Sequence, residues 1–107
     1  MTDLTVVDAS MLQMFGRELS FAVGNIYAFE DEEVQHVQVD NGAVHFLGMQ
    51  YVFHTTTSNV KAVAATKGDF FSLTVGMQLF TFEVIRVEHL LSEWSSIYAT
   101  CKDITDV

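Results

Sequence analysis

A chain of 107 residues, half of them hydrophobic and nine of them phenylalanine, has enough apolar material for one modest core and predicts a single β-rich domain over residues 1–107. Fourteen acidic residues against five basic ones give a formal charge of −9, which argues against binding to nucleic-acid phosphates or to anionic membranes. This charge favours solubility, and the alternative is docking on a basic protein surface.

The first predicted element in chain order is a short helix. Asp8 or Ser10 is placed to cap it, apolar residues recur over residues 11–15, and Gly16 is placed to end it. We predict no other helix before the C-terminal third. Residues 1–8, which precede the helix, are expected to be flexible, and they lack the basic region and apolar run of a secretory signal.

Two short strands are predicted next, joined by a tight turn. Leu19 and Phe21 belong to the first strand and residues 26–30 to the second, and Gly24-Asn25 between them suits such a turn. Four consecutive acidic residues follow, and because like charges repel one another in paired strands, they predict a solvated loop with a docking role as the alternative. This acidic loop consists of Glu30, Asp31, Glu32 and Glu33.

The strongest short-range hairpin signal is Asn41-Gly42, because both central residues of such a turn must accept a positive φ. Residues 34–40 and 43–53 flank it as strands. Hydrophobic residues occupy both parities of the second arm, so both of its faces are predicted to be buried, one of them by another layer or another subunit. Residues 55–65 are predicted either as a flexible loop or as a loose strand.

A charged turn, two strands and a tight glycine turn make up residues 67–89. Lys67-Gly68-Asp69 is the charged turn, apolar residues alternate through the first strand, and Gly76-Met77 forms a two-residue loop. The second strand then changes the parity of its apolar residues. This change predicts a β-bulge or a sharp bend near Val84-Ile85.

The chain ends with a predicted turn and a final strand. Residues 90–94 read as a turn or a single helical turn, Ile97, Ala99 and Cys101 alternate with polar residues in the strand, and residues 102–107 are expected to fray. The whole pattern predicts a mainly β chain, a small antiparallel β-barrel or sandwich of about six or seven strands with a short N-terminal helix.

Four histidines raise the question of a metal site, since imidazole is a common metal ligand. If Asn41-Gly42 is the turn of the hairpin, His36 and His45 on its two arms are only diagonal neighbours. The single cysteine offers one thiolate, and a zinc site commonly uses several. We therefore predict no metal site from His36, His45, His54 and His89.

The sequence also predicts no enzyme and no cofactor. Ser92, Ser95 and Ser96 lie near His89, but the Gly-x-Ser-x-Gly elbow of many hydrolases is missing, and the glycines fall at hairpin turns or within strands instead of in a phosphate-binding loop. Cys101 has no neighbouring base in the sequence and is interpreted as a buried structural thiol in a reduced cytoplasm.

Three motifs follow one another in this chain: Ala28-Phe29-Glu30-Asp31-Glu32, Gly68-Asp69 and Phe82-x-Val84-x-x-Val87. Their order and spacing resemble those of the head-tail joining proteins of lambda-like tailed phages, over roughly residues 15 to 101. That family shows a hydrophobic-Phe-acidic-acidic segment after its second strand, a Gly-Asp turn and an aromatic-x-Val-x-x-Val strand. Residues 90–94 differ from the family, which usually has an acidic, glycine-containing turn there.

This resemblance implies a fold related to phage tail-tube proteins and a structural role in the virion of a phage or prophage. The chain would belong to a homo-oligomeric ring in the neck that joins the DNA-filled head to the tail, with portal-side and tail proteins as partners and assembly in the bacterial host cytoplasm. A tail terminator or tail-tube component is one alternative, and a small β-barrel that binds a ligand or peptide in its mouth is another. The candidate protein-interaction residues are Glu30, Asp31, Glu32, Glu33, Met49, Tyr51, Phe53, Asn59 and Trp94.

Overall fold

Six antiparallel strands close a barrel in the computed structural model, which describes residues 11–31, 37–39, 42–44, 49–91 and 93–107. The prediction of a mainly β chain with a short helix is confirmed, and the alternatives of barrel and sandwich are resolved in favour of the barrel. The elements are α1 (Leu12–Phe15), β1 (Arg17–Phe21), β2 (Gly24–Glu30), β3 (Val37–Val39), β4 (Gly42–Val44), β5 (Gln50–Thr56), α2 (Thr57–Val63), β6 (Phe70–Val75), β7 (Gln78–His89) and β8 (Trp94–Asp106).

The strand order around the barrel is β1-β2-β5-β8-β7-β6, while β3 and β4 form a separate two-stranded sheet. The strands of the barrel run up and down, so their connections collect at two ends. We call the end with the β1–β2 turn and α2 the α2 end, and the opposite end, with the β6–β7 turn and the C-terminus, the α1 end.

Aromatic rings fill the barrel interior. The ring of Phe71 stacks on those of Phe82, at a centroid distance of 5.2 Å, and Phe21, at 4.9 Å, and it meets Phe53 edge-on at 5.5 Å. Pairs of this kind add about 0.5–1.5 kcal/mol each beyond the apolar area that they bury. A six-stranded barrel is narrower than the eight-stranded barrels that side chains just fill, so this interior is a packed core.

α2 covers one mouth of the barrel with two core residues. The side chain of Thr56 caps it by accepting a hydrogen bond from the backbone N–H of Asn59 (3.2 Å), and Ala64 ends it in the left-handed conformation. Val60 and Val63, three residues apart and therefore on one helical face, are buried in the core. The expectation of a loop or loose strand over residues 55–65 is therefore wrong, as is the expectation of one helix in this part of the chain. Neither described helix has the length and apolar character needed to cross a membrane.

The N-terminal helix ends at Gly16, as predicted, for a steric reason. A Cβ at Gly16 would lie 2.5 Å from the carbonyl oxygen of Leu12 and 2.9 Å from that of Ala28, so only glycine fits where the chain enters β1. The helix begins without a side-chain cap, after Met11. The predicted caps, Asp8 and Ser10, lie outside the described residues.

The first hairpin is confirmed, but its turn lies two residues before the predicted one. Phe21 pairs with Gly24, so Ala22 and Val23 form the loop and Gly24-Asn25 begins the second strand. The core sets this register, because it places the buried Leu19 directly opposite the buried Ile26.

The second hairpin is also displaced from its prediction. Val39 pairs with Gly42, which makes Gly42 the first residue of β4, and the loop residues 40–41 lie outside the described part of the chain. The predicted arm over residues 43–53 is two strands, because β5 pairs with β2 and β8 in the barrel while β4 pairs with β3. Burial of both faces holds for Tyr51 to Thr55 in β5. His36 and His45 are outside the described residues.

The hairpin over residues 67–89 follows its prediction closely. Gly68 and Gly76 both have a positive φ, and Val75 pairs with Gln78, which leaves Gly76-Met77 as the two-residue loop. Val84 pairs with Ala99 and Arg86 with Tyr98, so Ile85 is the extra residue of the predicted bulge. A second register shift, between Thr81 and Phe82, was not predicted.

The C-terminal segment corrects one expectation. Residues 102–106, expected to fray, continue β8 and pair with β7, and Ile104 packs against the core. The chain then ends beside the β6–β7 turn, where the backbone N–H of Val107 donates to the carbonyl oxygen of Met77 at 2.8 Å. The predicted turn before β8 is present, with Leu90 N–H donating to the Trp94 carbonyl at 2.7 Å.

Candidate functional site

The acidic loop does not lie in solvent where it begins. Glu30 is still part of β2, and its largely buried carboxylate lies 3.2 Å from the Arg17 guanidinium. Asp31 is buried. The prediction of a solvated loop is therefore wrong for these two residues, because each carboxylate has a basic partner on the barrel. Glu32 and Glu33 lie outside the described residues.

Asp31, His54 and Ser96 form a buried chain of hydrogen bonds on the outer wall of the barrel. His54 on β5 stands opposite Ser96 on β8, and its Nδ1 lies 2.7 Å from the Ser96 Oγ. Its Nε2 lies 2.8 Å from Oδ2 of Asp31, which follows β2. Because a carboxylate has no proton to give, Nε2–H donates to Asp31, and in the neutral imidazole Nδ1 accepts from the hydroxyl of Ser96.

This chain of hydrogen bonds connects the same residue types as the catalytic set of many hydrolases, in a place that a substrate does not reach. Ser96 is only 1% exposed and stands within β8, paired on its other side with Glu88 of β7. A nucleophile must touch its substrate. What the arrangement does is tie three elements of the wall together and fix the chain where it leaves β2.

A second polar cluster lies at the α2 end. The hydroxyl of Ser95 is 2.8 Å from Nδ1 of His89 and 2.8 Å from Oγ1 of Thr57. The side-chain amide of Asn59 donates to Oγ1 of Thr55 at 3.0 Å, and that hydroxyl donates in turn to the backbone carbonyl of Tyr27. Asn59, predicted as an interaction residue, therefore anchors the first turn of α2. Within the described ranges, no three His, Cys, Asp or Glu side chains form a group that could hold a metal ion.

The remaining predicted interaction residues are mostly buried. Tyr51 and Phe53 point into the core, and Met49 packs against it. Trp94 is buried on the wall, where its ring lies 6.3 Å from that of Phe29. The sequence places these side chains on a contact surface, and the structure corrects this: Tyr51, Phe53 and Trp94 stabilise the chain itself, because their side chains are buried within it.

Exposed apolar side chains lie at both ends of the barrel, and those at the α2 end border a cavity. Val23, in the β1–β2 turn, is 72% exposed, and Phe70, at the start of β6, is also exposed. A shallow cavity of about 270 Å³ lies between them. Its lining residues are Phe21, Ala22, Val23, Val63, Ala64, Asp69 and Phe70.

The α1 end has its own exposed apolar side chains, among them Met14 and Phe15 of α1. Met77, in the β6–β7 turn, is 75% exposed, and the exposed Val107 is hydrogen-bonded to it through the backbone. Turns are normally polar, so Val23 and Met77 are the signal in the sequence that could have found both surfaces. The predicted residues include neither of them.

A third feature lies where β1 and β6 close the barrel. Among the described residues these strands pair only at Ser20 with Ser72 and Phe21 with Phe71, although each strand continues toward the α1 end. A cavity of about 290 Å³ lies beside the place where the pairing stops. We call this place the seam, and its lining residues are Gly16, Arg17, Glu18, Ser20, Leu73 and Thr74.

The one cysteine is inside the barrel. Burial raises the pKa of the Cys101 thiol above its ordinary value, and its Sγ lies 3.7 Å from the backbone carbonyl oxygen of Asp103. A buried thiol of this kind is inert. The interpretation of Cys101 as a buried thiol is confirmed.

Two comparisons of the sequence with known proteins add no relative. The sequence matches no protein-family model, and no curated protein is significantly similar to it. The resemblance to head-tail joining proteins rests on the order of its motifs alone, and it stays a prediction.

Proposed function

We propose that this chain is a structural subunit of a phage or prophage virion that joins the DNA-filled head to the tail as part of the neck ring. The observation that carries the proposal is the pair of apolar surfaces at opposite ends of one closed barrel. Val23 and Phe70 are exposed at the α2 end, and Met77 and Val107 at the α1 end. A subunit placed between two partner rings needs a contact surface at each end.

The size of these surfaces supports assembly on a preformed partner. Burying a side chain such as Val, Phe or Met contributes about 1.5–3 kcal/mol, so one pair such as Val23 and Phe70 gives roughly 3–6 kcal/mol. Association costs about 4–15 kcal/mol in lost freedom, so one such contact holds two free proteins together only weakly. Many copies bound to one ring act together, and each bound copy raises the effective concentration for the next.

The charge of the chain supports the passage of DNA through such a ring without adhesion. At −9 per subunit, a ring repels the phosphates of the double helix. Its partners are then other copies of the chain and the proteins of the portal side and the tail, and its place is the virion. Sequence-specific nucleic-acid binding and membrane binding are no part of the proposal.

We also propose that the chain is not an enzyme. Each of the two histidine clusters among the described residues supports the barrel wall or the first turn of α2, and Ser96 is too deeply buried to meet a substrate. The alternative of a module that binds a ligand in its mouth is disfavoured at the α2 end, because Val60 and Val63 of α2 occupy the core there. A tail terminator or tail-tube component would also need a contact surface at each end of the barrel, so it stays the nearest alternative.

Reconstitution tests the proposal. Purified protein is mixed with DNA-filled, tailless heads, free tails are added, and joined particles are counted by electron microscopy and by infectivity. We expect the protein to bind heads first and to restore joining. Binding to tails in place of heads would favour the tail-terminator alternative. Failure of folded protein to restore any joining would refute the neck role.

A further inference from the structure

The seam offers a strand edge with which no further described residue of the barrel pairs. β1 extends back from Phe21 to Arg17 and β6 extends forward from Phe71 to Val75, but within the described part of the chain the two strands stop pairing after Ser20 and Ser72. The cavity beside Thr74 provides space along that edge. An unpaired strand edge is a template for pairing with another chain.

The two sides of the seam differ in charge. On β1, Arg17 and Glu18 carry charges beside the cavity, whereas β6 has the uncharged run Leu73-Thr74-Val75. Proteins normally protect an exposed edge with charged residues, proline or a bulge. The β6 edge has neither charge nor proline and pairs with β7 without a register shift, so it is the side of the seam suited to accept a strand.

The chain carries a second edge of the same kind. β3 (Val37-Gln38-Val39) and β4 (Gly42-Ala43-Val44) are uncharged and pair with each other, and no described strand of the barrel pairs with either of them. A two-stranded sheet by itself is marginally stable in water, and it gains from a third strand. β3, with two β-branched residues in three, is better suited to pairing than β4, which begins with glycine.

We propose that β3 of one copy of this chain pairs, edge to edge, with the β6 edge at the seam of a second copy. The proposal deepens the neck-ring function above, on which it rests, by naming the contact between neighbouring subunits. The two surfaces are different parts of one chain, so each copy offers one and accepts the other. Repetition of such a head-to-tail contact gives a closed ring when the rotation closes.

Cross-linking between two separately purified variants tests this contact. One variant is Gln38→Cys, on β3, and the other is Thr74→Cys, on the β6 edge; the buried Cys101 stays unreactive in both. Residues opposite one another in paired strands have Cβ atoms about 5 Å apart and diagonal ones about 7–8 Å, so a short bifunctional thiol reagent joins either arrangement. The matched control pairs Gln38→Cys with Ser58→Cys, an exposed position on α2 at the other end of the barrel.

The mixtures are assembled on tailless heads and cross-linked. We expect a band of twice the chain mass from the Gln38→Cys and Thr74→Cys mixture and none above background from either variant alone or from the control mixture. Equal cross-linking in the control, a dimer from Gln38→Cys alone, or a cross-link to a head protein in place of a second copy would overturn the pairing of β3 with β6.

Hydrogen exchange on the unaltered chain gives a second measurement that needs no variant. Peptides covering residues 37–39 and 73–75 should both gain protection when the subunits assemble, and absence of protection in either peptide would refute the contact. Joining activity distinguishes a failure of the β3–β6 strand pairing from a failure of the proposed neck role. Restored joining without the cross-link or the protection would leave the neck role standing and reject the strand pairing. A cross-linked assembly that joins nothing would reject the neck role alone.

Discussion

Removal of the Asp31 carboxylate gives the sharpest test of how the acidic segment is used. In the structure, Asp31 Oδ2 accepts from Nε2 of His54 at 2.8 Å inside the barrel wall, with the other ring nitrogen bonded to Ser96. In Asp31→Ala the imidazole N–H loses its acceptor and stays buried. The sequence-based alternative, a docking charge in solvent, predicts no change in stability at all.

The size of the effect follows from this burial. A buried polar group left without its partner costs about 1–3 kcal/mol, and a hydrogen bond to a charged group contributes about 1.5–3 kcal/mol. We therefore expect Asp31→Ala to lower the free energy of unfolding by about 3 kcal/mol, which for a domain of this size lowers Tm by roughly 15 °C. Asp31→Asn keeps an acceptor oxygen in place and should lose only about 1 kcal/mol.

Urea unfolding followed by the fluorescence of Trp94 measures these values, since Trp94 is the only tryptophan and is buried on the same wall. Asp103→Ala is the matched control, an exposed aspartate on β8 whose loss should change stability by less than about 0.5 kcal/mol. Equal stability of Asp31→Ala and Asp103→Ala would refute the structural role of the Asp31–His54 bond.

Three further predictions concern the core and the entry to the barrel. Phe82→Ala removes a ring that lies 5.5, 5.3 and 5.2 Å from those of Tyr51, Phe53 and Phe71, and urea unfolding should show that the free energy of unfolding falls by about 3–5 kcal/mol. The control Phe70→Ala removes an exposed ring and should lower it by less than about 1 kcal/mol. Similar losses in the two variants would contradict the packed core. Gly16→Ala places a Cβ 2.5 Å from a carbonyl oxygen and should lower the free energy of unfolding by about 1–3 kcal/mol in the same assay. The control Gly24→Ala should change it little, because nothing lies within 4 Å of a Cβ there. A Gly16→Ala variant of unchanged stability would refute the steric argument. Because burial raises the pKa of Cys101, the unfolded chain loses the thiol proton before the folded chain does as pH rises. This group's contribution to stability is therefore intact below the ordinary thiol pKa and falls above it. Cys101→Ala should remove that alkaline loss of stability, and an unchanged dependence of the free energy of unfolding on pH would contradict the raised pKa.

Local rules were sufficient for the hairpin over residues 67–89. Gly68 and Gly76 mark its turns because both need a positive φ, and the change of parity at Val84-Ile85 reports the bulge directly. These features depend on residues adjacent in sequence. The sequence pattern of this hairpin therefore predicts its structure well.

Features that depend on distant residues were not predictable in the same way. Asp31 is buried in a hydrogen bond with His54, which lies 23 residues further along the chain. No local sequence pattern connects the two residues. α2 has threonine and valine in a short segment, which lowers its helical propensity, and it is held by burial of Val60 and Val63 in a core built by other strands. The surface at the α2 end was missed for a related reason, since the exposure of Val23 depends on where the β1–β2 turn falls, and the core sets that register.

The most direct measurement of the central claim separates the two ends of the barrel. Heads and tails are each incubated with the unaltered protein, the Val23→Ser variant or the Met77→Ser variant, and binding to each partner is measured by co-sedimentation. Lys102→Ser, a substitution at an exposed position on the barrel wall, is the control. The proposed function predicts that each apolar variant folds normally, loses one partner, keeps the other and no longer joins heads to tails. Full joining by both variants, or loss of the same partner by both, would contradict a subunit that connects through its two ends.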